Sequence, residues 1–246
     1  MKYVLVITGL LMSSLMFAQT EGKISYTEIM QLDIQLDGID ESMKDLIPTS
    51  QSTEKELLFN SNESVYRPLK GEAPEEMDIS SDDGSFQLKI VVGDDVESIM
   101  YVNNENGEYV HQQGIMGKPF RIVDKLEKKK WKLTGEKVKY LDYECQKAVW
   151  EDEDNFVVAW FAPQIPAQIG PASYRGLPGA VLMVSIDEGQ VEIKANKVEL
   201  GSLTEEISIP KEGKKVSEEK FEEIRLEKEK EMEEMYGGRG RRIIEH

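Results

Sequence analysis

The chain has 246 residues, with 47 acidic against 30 basic side chains and a net charge of −17. That balance argues against a nucleic-acid groove, which needs Lys and Arg to displace counterions, and against an anionic lipid surface. One Cys and two His exclude an intrachain disulfide framework and a Cys/His zinc cluster.

The chain opens with Lys2 ahead of an apolar run from Tyr3 to Leu11, then Ser13, Ser14 and a small residue at Ala18. This pattern predicts a signal peptide over residues 1–18, cut between Ala18 and Gln19. The apolar run is short of the ~20 residues a spanning helix needs. The expected product is an exported protein with no segment inserted in a membrane, periplasmic in preference to secreted or cell-surface.

From Ile24 to Leu36 the apolar residues fall on alternate positions, the period of a half-buried strand. Asp37 to Thr53 reads as a loop, and Leu57 to Arg67 as a second strand region. Leu69 to Gly84 is acidic, poor in apolar residues and interrupted by Gly71 and Pro74, so it reads as a mobile connection. Phe86 to Val92 is a strand. Glu97 to Asn103 and Glu108 to Gln113 flank Asn106-Gly107, a hairpin turn in which both residues tolerate positive φ.

Strands follow at Phe120 to Asp124, Trp131 to Thr134, Lys137 to Val149 and Phe156 to Phe161. Ala180 to Ile186 and Val191 to Val198 pair across Asp187 to Gln190. Trp150 and Trp160 are expected in the core. So many strands with short turns predict a mainly β fold, an antiparallel sheet over residues 19–210. A sheet of this length must curl, giving an open barrel or bowl, or split into a sandwich. Residues 211–246 read as one C-terminal helix and a tail. Ser217 to Tyr236 lacks Gly and Pro, Ser217 caps it, and Gly237-Gly238 ends it before the basic tip Arg239, Arg241 and Arg242.

Few residues offer chemistry. Cys145 would need His111 as its base, plus an orienting group and an oxyanion hole, and its strand setting supplies neither. It reads as a small buried hydrophobe. Asp152-Glu153-Asp154 offers hard oxygens to a cation but lacks the spacing of an EF-hand loop. No catalytic residue, metal site or cofactor site is assigned, and a non-enzymatic role is expected.

The segment Ala162 to Gly179 holds four Pro and three Gly in 18 residues. It cannot be a regular helix or central strand. It reads either as a structural crossover or as a rigid binding lip presenting Tyr174, Arg175, Leu177 and Pro178.

These residues carry a resemblance. Ile122-Val123-Asp124, Trp131-Lys132-Leu133, Glu144-Cys145-Gln146-Lys147-Ala148, Trp160-Phe161-Ala162-Pro163, Ile165-Pro166, Gly170-Pro171 and Gly176-Leu177-Pro178-Gly179 occur in one order. In that order they resemble the GLPGLI family of exported Bacteroidota proteins. Leu57-Leu58-Phe59-Asn60 and the leader's Phe17-Ala18-Gln19 are similar too. Ala180-Val181 stands where the family has Leu-Ile. The resemblance implies an exported β-rich domain, similar to a bowl-shaped module of a secreted glycan-removing enzyme. It also implies an accessory role beside an outer-membrane uptake system of the TonB-dependent type, with a transporter or another envelope protein as partner. A periplasmic carrier holding an apolar or peptide-like ligand in the concave face is the alternative.

Overall fold

The computed structural model describes residues 21–32, 48–69, 75–80, 87–92, 96–153 and 155–235. The expected signal peptide, most of the loop after residue 36, much of the acidic connection and the basic tip lie outside the described residues.

The protein is mainly β, as the strand pattern predicts. Twelve strands form one open sheet. One half is a meander of β1 (Gly22–Gln31), β2 (Ser50–Phe59) and β3 (Glu63–Pro68), then β6 (Ile99–Asn103), β7 (Glu108–Ile115) and β8 (Lys118–Lys125). Between β3 and β6, β4 (Glu75–Ser80) and β5 (Gln87–Val92) pair with each other as a separate hairpin. The other half is a second meander, β9 (Lys132–Tyr140), β10 (Tyr143–Glu151), β11 (Phe156–Ala162), β12 (Ala180–Ile186) and β13 (Val191–Leu200). The halves join where β1 pairs antiparallel with β13, from Gly22 opposite Leu200 to Met30 opposite Val191. A short β14 (Lys214–Val216) adds to β8 in parallel, and α1 (Glu218–Met235) follows.

The curl follows from chain geometry. In strand order β8 is second and β9 is twelfth, ten spacings apart. In a flat sheet that would be about 48 Å. The linker 126–131 between them spans at most about 25 Å when fully extended. The sheet therefore bends until its two ends approach.

The concave face carries the main core. Ile24 and Tyr26 of β1, Leu57 and Phe59 of β2, Val157, Ala159 and Phe161 of β11, and Val184 and Ile186 of β12 are all buried there. A continuation on the same face packs Met100, Val102, Tyr109, Phe120 and Ile122 against Val216 and Phe221. The Phe120 and Phe221 rings meet edge to face with centroids 5.6 Å apart. Among the described side chains of α1, those of the first turns are held in this way: Phe221 is buried and Ile224 half-buried, while Leu226 and Met232 are exposed. Ser217 caps the helix, its Oγ accepting from the Lys220 amide at 3.3 Å, and Tyr109 donates to the Glu218 carboxylate.

The convex face of β2, β3 and β6 is covered as well. Leu58, Val65 and Tyr101 pack there against Ile207, with Leu203 alongside. Beside this patch Glu56, 2% exposed, meets Lys23 at 2.6 Å and Arg67 at 2.7 Å, and Arg67 also meets Glu205 at 2.6 Å. Burial alone would raise the Glu56 carboxyl; Lys23 and Arg67 overrule it and hold it below the usual carboxylate range.

Sequence expectations change in several places, and the acidic connection Leu69 to Gly84 itself carries β4. The strand region Leu57 to Arg67 is a hairpin, β2 and β3, turned where Asn60 Oδ1 accepts from the Asn62 and Glu63 amides. The stretch Lys137 to Val149 is likewise a hairpin, β9 and β10, turned at Leu141 with φ 51°. Trp150 and Trp160 are half-buried rather than fully enclosed: the inward row of β11 is Val157, Ala159 and Phe161, and Trp160 packs from the edge of that core. The sheet also takes in β14, beyond residue 210.

Candidate functional site

The Pro/Gly segment lies between β11 and β12 and runs across the concave face. Ile165, Ile169 and Leu177 are buried in the main core, at 0%, 2% and 2% exposure. The segment satisfies its own backbone, as a buried loop must. The Ala180 amide donates to Ile165 O at 3.0 Å, Val181 to Ile169 O at 3.0 Å and Gly179 to Leu177 O at 2.8 Å. From the floor, the Tyr26 hydroxyl donates to Val181 O at 2.7 Å.

Two glycines make this path possible by close approach. A Cβ on Gly170 would stand 2.0 Å from Tyr174 O and 2.9 Å from the Val181 Cβ. A Cβ on Gly179 would stand 2.3 Å from Ala162 O. Gly176 differs: its φ of +87° is a left-handed conformation, but a Cβ there would meet nothing within 4 Å.

The expected lip residues divide. Leu177 is buried, Pro178 exposed, and Tyr174 and Arg175 half-buried. Tyr174 packs against the main core, and burial pushes its hydroxyl up to about 12, with the Glu28, Asp187 and Asp152 carboxylates adding to the rise. Lys129, from the linker that spans the two ends of the sheet, lies 3.6 Å over the Trp150 ring and 5.4 Å from that of Tyr174. Burial lowers the Lys129 pKa, against the pull of Asp152 and Glu127. The result is a cation held on two aromatic faces.

Arg175 reaches across the bowl. Its Nη1 donates to Ser64 Oγ on β3 at 3.0 Å, and its Nη2 to Asn104 Oδ1 after β6 at 2.5 Å. Its own carbonyl accepts from the Trp131 indole at 3.0 Å. Burial presses its pKa down, and among the described residues no charge opposes this.

A cleft of about 390 Å³ opens beside it, where the β2–β3 turn, the β6–β7 turn and the Pro/Gly segment meet. Asn60, Ser61, Asn103 and Asn104 line one side; Pro166, Gln168, Arg175 and Gly176 line the other; Val102, Leu126 and Ile169 are the apolar part. The turns are tied together, since the Asn104 amide donates to Asn62 O at 2.7 Å and Asn104 Nδ2 to Asn60 O at 3.1 Å. In the sequence, Asn106-Gly107 announces a turn, whereas Asn60-Ser61-Asn62 lies inside a stretch that reads as one strand region, and nothing in their spacing places either beside Arg175.

The residues considered for chemistry are held apart. Cys145 is fully buried in the main core, and burial pushes its thiol up to about 11. His111 sits on β7 with Nε2 2.9 Å from Ser98 Oγ, and burial, aided by Lys55, pushes its pKa down to about 4. Asp152 Oδ1 accepts from the Asn155 amide at 2.8 Å and from its side chain at 3.0 Å, a closed turn, while Asp154 lies outside the described residues. Among the described residues no group of three or more His, Cys, Asp or Glu could hold a metal ion, and no helix is long and apolar enough to cross a membrane.

A family model described as a protein of unknown function, Porph_ging, matches residues 150–183, from the end of β10 through the Pro/Gly segment into β12. No curated protein matches the chain. Two solved structures are similar, titled as PNGF-II in the P21 and C2 space groups, with TM-scores of 0.53 and 0.51 and identities of 15% and 16%. Each likeness covers 84% of this chain but only 33% and 32% of theirs, so the chain spans about a third of their length. At such identity the likeness is one of fold. The stretch matched by the family of unknown function contains Arg175 and the glycines that let the segment cross the bowl.

Proposed function

We propose that this chain is an exported, non-enzymatic interaction module of the cell envelope, one of the GLPGLI proteins of Bacteroidota, serving an outer-membrane uptake system of the TonB-dependent type. The supporting observation is the filled concave face. Ile165, Ile169 and Leu177 occupy the space that a carrier of a large apolar ligand would keep empty. What remains for recognition is the rim, with the Arg175 cleft, the Lys129-Trp150-Tyr174 stack and exposed apolar side chains such as Phe156. A rim of aromatic and arginine side chains around a rigid body suits protein contact, in which such residues contribute most of the binding energy.

The test is affinity purification from crosslinked, detergent-solubilised envelopes of the native host. An outer-membrane transporter should co-purify in near-equal amount with the wild-type chain. Recovery of the chain alone from crosslinked envelopes would overturn the reading. Periplasmic placement is checked in the same cells: osmotic shock should release the protein without the Met1 to Ala18 leader.

A further inference from the structure

We propose that the cleft beside Arg175 is a binding site for a small carboxylate-bearing ligand, whose carboxylate pairs with the Arg175 guanidinium. The first reason is an unanswered charge. Arg175 bonds two neutral oxygens, Ser64 Oγ and Asn104 Oδ1, and makes no ion pair among the described residues. Its side chain is drawn well into the protein, where a cation without a counter-ion is costly. Other half-buried cations have a carboxylate or an aromatic face: Lys23 and Arg67 share Glu56, Lys147 meets Glu136, and Lys129 rests on Trp150 and Tyr174.

The second reason is the composition of the wall. About one residue in five of this chain is Asp or Glu, yet none of those lining the cleft is. An anion entering it meets no fixed negative charge there. Donors are present instead. Asn60 and Asn103 have their Oδ1 atoms occupied by backbone amides of their own turns, which leaves each Nδ2 as a donor. The two bonds of Arg175 use two of its five N–H groups, so the fork retains donors for a carboxylate.

The third reason is size and rigidity. A volume of about 390 Å³ is at the small end of ligand sites, the size of a dipeptide or an acidic sugar. The guanidinium is held by bonds to two separate elements, and its backbone by the Trp131 indole, so the site is formed in advance. This site does not depend on the envelope partner proposed above, and failure of one reading leaves the other standing.

The purified protein is titrated with N-acetyl-glycyl-glycine and its C-terminal amide, and with glucuronate and glucose, following tryptophan fluorescence. Trp131, bonded to Arg175, is the reporter. At least one acid should give a saturable change, with its neutral counterpart at least tenfold weaker, and the acid that binds tells peptide from sugar. Arg175→Gln should weaken binding at least tenfold. Because that change also leaves Ser64 and Asn104 without their donor, Gln168→Trp is the second variant: it narrows the cleft from an exposed position, leaves Arg175 in place and should block the acid while melting like wild type. The proposal is overturned if neither acid gives a saturable response or if the neutral compounds bind as well as the acids. It also falls if Gln168→Trp, or a folded Arg175→Gln, binds the acid as wild type does.

Discussion

Tyr26 and Val181, 155 residues apart in sequence, are joined by a buried hydrogen bond from the tyrosine hydroxyl to the valine carbonyl at 2.7 Å. It ties the central strand β1 to the point where the Pro/Gly segment enters β12. Burial raises the Tyr26 hydroxyl far above its ordinary range, so it remains a donor at any pH the protein meets. Tyr26→Phe keeps the ring and removes the donor. It should cost about 1–2 kcal/mol in urea denaturation with an unchanged slope. A loss below about 0.5 kcal/mol would show that the bond contributes nothing net.

The three glycines of the Pro/Gly segment should respond differently to alanine. At Gly170 and Gly179 the new methyl meets backbone oxygen at 2.0 and 2.3 Å, which the segment can relieve only by leaving its path. Each should cost more than about 3 kcal/mol. At Gly176 the methyl meets open space and only the left-handed φ is penalised, about 1 kcal/mol. Equal melting temperatures for all three variants would contradict this placement.

His111 gives the fold a pH dependence. Its pKa is about 4 in the folded state, against about 6.5 in an unfolded chain. Between those values the unfolded chain binds a proton that the native protein refuses, so stability is full above about pH 6.5 and falls as pH drops toward 4. The share due to His111 is about 2–3 kcal/mol. His111→Gln should flatten the slope of unfolding free energy between pH 6.5 and 5, above most carboxylate titrations. An identical slope in the variant would place the imidazole in solvent.

Cys145 should behave as a core residue. Fully buried, with its thiol pushed up to about 11, it presents almost no thiolate at neutral pH. An aromatic disulfide reagent should label it only as fast as the protein unfolds, and at once in denaturant. Rapid labelling of the native protein would return a nucleophilic role to consideration.

Phe161 and Trp160 test which row of β11 faces inward. Phe161 is fully buried and Trp160 half-buried. Phe161→Ala should cost about 3–5 kcal/mol, and Trp160→Ala clearly less. The reverse order would mean that β11 pairs one residue out of register.

The same pair shows where sequence reading succeeds and where it stops. Alternation along Phe156 to Phe161 reveals a strand with two faces, but both rows are apolar, so periodicity cannot say which turns inward. On β10 a bulge between Gln146 and Ala148 shifts the pattern again. Features set by neighbours in sequence were readable: the Asn106-Gly107 turn, with Gly107 at φ 73°, the pairing of β12 with β13, and the capped helix α1. The strand β14 is only three residues long and exists because β8 offers it an edge. Arg175 could be singled out within its unusual loop, but its setting could not. Its partners Ser64 and Asn104 lie 111 and 71 residues away, and only the curl of the sheet brings them within reach.

That curl has a consequence for the order of folding. Within each half of the large sheet, antiparallel neighbours follow one another along the chain, and only the β1–β13 seam joins the halves by antiparallel pairing. Hairpins that close short loops form early, whereas a pairing across more than 150 residues carries a larger loop-closure cost and forms late. At the seam a Cβ on Gly22 would lie 2.4 Å from Glu199 O, so the first residue of β1 must approach the last residues of β13 without a side chain. Until Val191 to Leu200 has been made, β1 has β2 on one side and an unpaired backbone on the other. The nascent chain therefore cannot close its large sheet until β13 exists, and a truncation before Val191 would leave two half-sheets with a sticky edge at the centre of what should be one.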